Sequence, residues 1–167
     1  MQFDLRSFLR EGRTTYQRPI SMDLSGWDFP GYRVPQQVCG IFTAIPTPYG
    51  VEMEMKVTAE AEAECARCLT PVREVYSLER RWDVRERDFE DPEFELPVDE
   101  KGILDLDQLV FEELVLEIPS VHLCSEDCEG LCPVCGKPKA DGCTCVQDTE
   151  AEAPVDDRLA ILKQLLN

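Results

Sequence analysis

Histidine is nearly absent from the chain: His122 is the only one in 167 residues. General acid–base chemistry most often runs through histidine, and nothing beside this one marks it as a base with an orienting partner. The sequence also lacks a glycine-rich phosphate loop and a Gly-x-Ser-x-Gly nucleophile turn. No apolar run approaches the roughly 18 residues of a membrane span. Charges at positions 4, 6, 10 and 11 interrupt the start of the chain, unlike a secretory leader. Basic charge is scarce, with 17 Lys and Arg against 34 Asp and Glu, a net of −17. These deficits speak against an enzyme, a membrane protein and a secreted one, and the expected location is the cytoplasm.

The acid is concentrated in one half. Residues 1–87 carry 12 basic and 13 acidic side chains, and residues 88–167 carry 5 and 21. An acidic second half repels phosphate and suits a basic partner, whereas the first half is locally rich in arginine.

Cysteine is abundant, and six of the nine fall within residues 124–145. Cysteine this dense serves a disulfide framework, a redox or iron–sulfur site, or a thiolate metal cage. A cytosolic chain keeps its thiols reduced, which favours the cage. Cys132-Pro133-Val134-Cys135-Gly136 has the form of a zinc knuckle, a tight turn aiming two sulfurs at one point, with Gly136 suited to the left-handed conformation. Zn²⁺ takes four soft ligands tetrahedrally. The candidates are Cys124, Cys128, Cys132, Cys135, Cys143 and Cys145, with about one structural Zn²⁺ expected from four of them; which four stays open, as does a two-metal cluster sharing sulfurs. His122 is a candidate replacement for one thiolate. A second thiol pair, Cys65-x-x-Cys68, reads as half a metal site, a redox pair or small residues fitting a turn. Cys39 reads as a small buried apolar residue.

Along the chain, residues 4–12 form a short helix capped by Asp4, and Ile20 to Leu24 an edge strand. Trp27 and Phe29 are expected as core anchors. Val38 to Ile45 is a strand, followed by a turn over residues 46–50. Val51, Met53, Met55, Val57, Ala59, Ala61, Ala63 and Cys65 then alternate strictly with polar residues, the pattern of an antiparallel strand with one dry face. Its length predicts a bend or bulge. Alternation resumes after residues 65–71, giving a long hairpin with that segment at its tip and glutamates facing arginines. Residues 88–104, acidic and broken by Pro92, Pro97 and Gly102, read as a flexible connection. Asp105 caps a helix to about Glu117, ended by Pro119. A linker and an amphipathic helix close the chain. The fold class is α+β: an antiparallel sheet, flat or curled into a half-barrel, packed by a few helices, with a C-terminal zinc knuckle. The divisions are 1–118 for the α+β domain, 119–147 for the cysteine-rich segment, and 148–167 for the linker and last helix.

Taken together, CARCLTP (65–71), LDLDQLVFEELVLEIPSVHLC (104–124), CEGLCPVCG (128–136) with CTC (143–145), and DDRLAILKQLL (156–166) resemble the YceD family, linked to accumulation of large-subunit ribosomal RNA. The resemblance implies a non-enzymatic factor in ribosome biogenesis. Two versions follow. Arg67, Arg73, Arg81, Arg85 and Arg87 of the hairpin contact ribosomal RNA, or the acidic half holds a basic ribosomal protein or assembly factor. A thiol oxidoreductase or metal-handling protein using Cys65 and Cys68 is the rival from another class. No small-molecule substrate and no membrane are expected.

Overall fold

Strict alternation from Val51 to Cys65 demands a single strand dry on one face, and that strand is the hub of the fold. The computed structural model describes residues 1–91 and 93–145. In chain order the elements are β1 (Gln2–Asp4), α1 (Leu5–Glu11), β2 (Tyr16–Met22), β3 (Tyr32–Arg33), β4 (Val38–Thr47), β5 (Gly50–Glu64), β6 (Pro71–Val84), β7 (Ile103–Asp105) and α2 (Leu106–Glu117). Short 3₁₀ turns occupy Glu86–Glu90 and Lys139–Asp141.

β5 pairs along one edge with β6, from Val51 opposite Val84 to Glu64 opposite Pro71. Its other edge takes β4, from Gly50 opposite Thr47 to Thr58 opposite Cys39, and then the short β3 at Glu62 and Ala63. β2 extends the sheet beyond β4, and β1 with β7 makes a separate two-stranded ladder. Both long ladders of β5 run in unbroken register, so the expected bulge does not occur; the strand's length is absorbed by the sheet as a whole, which curls into a half-barrel. The inner residues of β5, from Val51 to Ala63, are buried together with Phe42, Leu78, Val84 and the inner faces of both helices. On the outer face Arg73 stands opposite Glu62 and Arg81 opposite Glu54, each pair within 3.0 Å. Exposed pairs of this kind contribute only tenths of a kcal/mol each, so burial rather than charge holds the hairpin together.

α2 begins where the sequence places it. Asp105 Oδ1 accepts from the N–H groups of Asp107 and Gln108. Gln108 does not reach back to the cap; its amide donates to Glu112 at 2.7 Å. Leu106, Leu109, Val110 and Leu114 are buried on the sheet, and Ile118 leaves the helix in an extended conformation before Pro119. α1 is capped by Asp4, which accepts from Ser7 N–H.

Two expectations need correction. Residues 88–104 are not a loose connection. Phe89, Phe94, Leu96 and Val98 pack against the core, Val98 bridges Leu104, and Asp99 accepts from the N–H groups of Lys101 and Ile103. Apolar side chains spaced among the acids supply enough burial to order the segment. Of the two aromatic anchors, Phe29 is buried but Trp27 is 36% exposed, lying against Phe111 with ring centroids 4.8 Å apart. No helix among the described residues is long and apolar enough to cross a membrane. The closing helix read from the sequence lies outside the described residues.

Candidate metal centres

The hairpin tip is built like the knuckle at residues 132–136. In the knuckle, Cys132 N–H donates to Lys137 O at 2.7 Å and Gly136 N–H to Cys132 O at 2.8 Å. At the tip, Cys65 N–H donates to Thr70 O and Leu69 N–H to Cys65 O, both at 2.9 Å. The two turns share one hydrogen-bond frame, and in both the residue after the second cysteine is left-handed: φ is +72° at Gly136 and +60° at Leu69. Glycine takes that conformation without penalty, whereas leucine bears a cost of about 1–2 kcal/mol.

Eight sulfurs gather in two groups. Cys65, Cys68, Cys124 and Cys128 form one; Cys132, Cys135, Cys143 and Cys145 form the other, with the ligand atoms of each group all within 4.8 Å of one another. Sγ separations are 3.8 Å for Cys65–Cys128, 3.5 Å for Cys68–Cys124 and 3.5 Å for Cys135–Cys143. A tetrahedron with Zn–S bonds near 2.3 Å has S···S edges of about 3.8 Å, so both groups fit a four-thiolate ion. The six C-terminal cysteines therefore do not converge on one point. Cys124 and Cys128 turn to the hairpin tip, where Cys65 and Cys68 complete their set. Of the readings open for Cys65-x-x-Cys68, half a metal site is the one this grouping fits, its other half lying more than fifty positions away. Cys39 is not the buried residue expected; it is exposed on the outer face of β4, opposite the exposed Thr58. His122 joins neither group. It is buried edge-on against Tyr32, with Nδ1 3.8 Å from a Glu74 oxygen and Nε2 without a partner among the described residues.

Contacts around the first group tie the cysteine-rich segment to the sheet. Ala66 N–H donates to His122 O at 2.9 Å, and Leu131 N–H to Arg67 O at 3.1 Å. Arg67 Nη1 donates to the carbonyls of Glu126 and Cys128, at 2.9 and 3.0 Å. Gly130 has φ of +78° and passes so close that a Cβ would stand 3.1 Å from Arg67 O. Val72, Leu123 and Leu131 close over Cys65 and Cys68, which are both buried. In the second group Cys132 is buried, whereas Cys135 and Cys145 are exposed.

Each group combines sulfurs that ionise readily with sulfurs that resist. Backbone N–H groups, that of Cys124 foremost, draw the Cys65 thiol down to about 6 against the opposing effect of burial. The N–H groups of Cys135 and Val134 do the same for Cys132, also to about 6. Cys124 is pushed up to about 12 by the sulfurs of Cys128 and Cys68, and Cys145 to about 12 by those of Cys143 and Cys135. Four crowded thiols cannot all ionise unaided; a divalent cation at their centre removes the repulsion. An ion held by all four thiolates of a group would have no open position for a reacting water.

The hairpin arginines fall into different settings. Arg67 braces the cysteine segment, Arg73 pairs with Glu62, and Arg81 pairs with Glu54 and Glu79. Arg87 lies 3.7 Å from Asp88, and Arg85 has no ion pair among the described residues.

The model of the family described as large ribosomal RNA subunit accumulation protein YceD matches residues 53–166, a span containing both cysteine groups and all but the first three residues of the hairpin. Uncharacterized proteins of Mycobacterium tuberculosis and Mycobacterium bovis are 33% identical to this chain over 125 residues, covering 70% of this chain and 56% of each relative. The chain thus spans little more than half the length of these curated relatives. No solved structure matches it.

Proposed function

Because the chain belongs to the YceD family of large ribosomal RNA subunit accumulation proteins, we propose that it is a non-enzymatic cytoplasmic factor supporting accumulation of that RNA, stabilised by two structural zinc ions. The family match over residues 53–166 carries this reading. All-thiolate sets with tetrahedral spacing favour zinc among the common ions, since harder cations prefer oxygen ligands. Bound zinc would lock the hairpin tip to residues 122–131, and Cys65 and Cys68 act as ligands rather than as a redox pair.

The contact with the assembling subunit runs through a basic protein. Arg73 and Arg81 are ion-paired within the fold, Arg67 is held by two backbone carbonyls, and −17 overall opposes approach to phosphate. A direct contact with RNA is the second reading, favoured by Arg85 and Arg87, which are exposed and lightly paired. Reversing Arg81, Arg85 and Arg87 to glutamate tests it against neutralising Glu90, Asp91, Glu93 and Glu95. Binding to ribosomal RNA and to total ribosomal protein is measured across a salt series. Loss of protein binding in the neutralised variant alone supports the first reading. Loss of RNA binding with a flatter salt slope in the arginine variant supports the second, since each phosphate contact contributes about one unit of slope. The family role itself is tested by depleting the protein in its source cell: an unchanged ratio of large- to small-subunit ribosomal RNA overturns it.

A further inference from the structure

A groove of about 710 Å³ runs between the end of β6, the segment around Phe94 and Leu96, and the outer face of α2. Its floor is apolar, formed by Trp82, Phe94, Leu96, Phe111, Val115 and Leu116. Leu116 is 78% exposed although it sits on the main helix of the core, one residue before the helix ends. Every segment that lines the groove also brings acid to its rim. Eight of the 17 lining residues are Asp or Glu, and none is Lys or Arg. Asp88 and Glu113 have arginine partners, Arg87 and Arg80. Asp28, Asp83, Asp91, Glu93, Glu95 and Glu112 have no cationic partner among the described residues.

An apolar floor within such a rim rewards one kind of occupant. We infer that the groove receives a basic amphipathic helix of a protein partner, its apolar face on Phe111, Val115 and Leu116 and its lysines or arginines against the rim. The inference rests on the protein-mediated reading above and names its surface. Other occupants fit worse. A phosphate backbone is repelled by the carboxylates. The chain's own residues 146–167 carry five acidic and two basic side chains, so they are repelled as well. A second copy brings another −17 to the same surface.

The test uses the full zinc-loaded chain and a labelled peptide of about 18 residues, leucine at every third or fourth position and lysine between. Fluorescence anisotropy reads binding. The wild type is expected to bind it and to bind a scrambled peptide of the same composition about tenfold more weakly, a loss of 1.4 kcal/mol. Leu116→Arg, at an exposed position, should weaken binding about tenfold. Paired Glu93→Lys and Glu95→Lys should do the same and flatten the salt dependence. Unchanged circular dichroism confirms that each variant folds. The inference is overturned by absent binding, by binding indifferent to both variants, or by equal binding of the glutamate version of the peptide. It is also overturned if a peptide of residues 146–167 binds as well, or if the wild type is a dimer that Leu116→Arg splits. The assay contains no RNA, so its failure leaves the depletion test of ribosomal RNA accumulation standing on its own.

Discussion

The sulfurs of Cys65 and Cys128, 63 positions apart in sequence, lie 3.8 Å from one another. That proximity joins the hairpin tip to the cysteine-rich segment, because half of the first cysteine group comes from each. Cys132 and its three partners, by contrast, all come from a stretch of fourteen residues.

The protein is expected to carry two zinc ions per chain by elemental analysis, one for each group. Cys68→Ser and Cys135→Ser should each reduce the content to one. They should differ in reach. Loss of a zinc cage removes several kcal/mol of local stabilisation, and for Cys68→Ser the loss falls on the end of the β5–β6 hairpin as well as on residues 122–131. Hydrogen exchange should show faster exchange in residues 61–72 for Cys68→Ser and no change there for Cys135→Ser. Equal behaviour of the two variants contradicts the division of ligands.

Leu69→Gly should stabilise the protein by up to about 1 kcal/mol, the left-handed strain relieved less the added freedom of glycine in the unfolded chain. Little burial is lost, since Leu69 is 56% exposed. Gly136→Ala should destabilise by about 1 kcal/mol for the mirrored reason. Thermal unfolding of the zinc-loaded variants measures both, and a destabilised Leu69→Gly would show that the side chain has a role beyond the turn.

In the zinc-loaded protein one thiol should react rapidly with a thiol reagent, and it should be Cys39. Eight of the nine cysteines stand in the two groups, and Cys39 is exposed outside them. Chelation with denaturant should release all nine. Rapid reaction of Cys135 or Cys145 before chelation would mean that the second group does not hold its ion.

The hairpin was legible because parity is a local signal: fifteen residues of in-and-out alternation admit one face and one register class. The start of α2 was legible for a similar reason, with Asp105 beside the helix it caps. The first metal group was not, since its halves meet only once the sheet has formed. Leu69 concealed it further by standing where Gly136 advertises the matching turn. What could have exposed it is the shared C-x-x-C spacing. Residues 88–104 read as a loose connection because their apolar side chains follow neither helical nor strand period; tertiary fit alone places Phe89, Phe94, Leu96 and Val98 against the core. Cys39 was assigned by the habits of its residue type; its register opposite Thr58, on the wet face, decides the matter.

Acid should strip the metal, with release centred near or below pH 6. In the folded chain Cys65 and Cys132 are held down to about 6, so their thiolates favour the fold fully above the ordinary thiol range, and that contribution is lost as the pH falls through 6. Cys124 and Cys145, pushed up to about 12, act in the opposite sense: without metal they favour the fold while protonated and lose that contribution as the pH rises towards 12. Zinc overrides the second pair by holding all four sulfurs as thiolates, which couples its binding to proton release. Retention should therefore be flat from about pH 8 to 7 and fall steeply once protons compete even for the two most acidic thiols. The second group should empty first, because it has two exposed cysteines, Cys135 and Cys145, and one buried, whereas the first has one exposed, Cys124, and two buried. A chromogenic chelator followed over a pH series measures the release, and Cys68→Ser, holding zinc only in the second group, assigns the earlier step. Full retention at pH 4, or identical release profiles for wild type and Cys68→Ser, would contradict this account of how the two groups hold their ions.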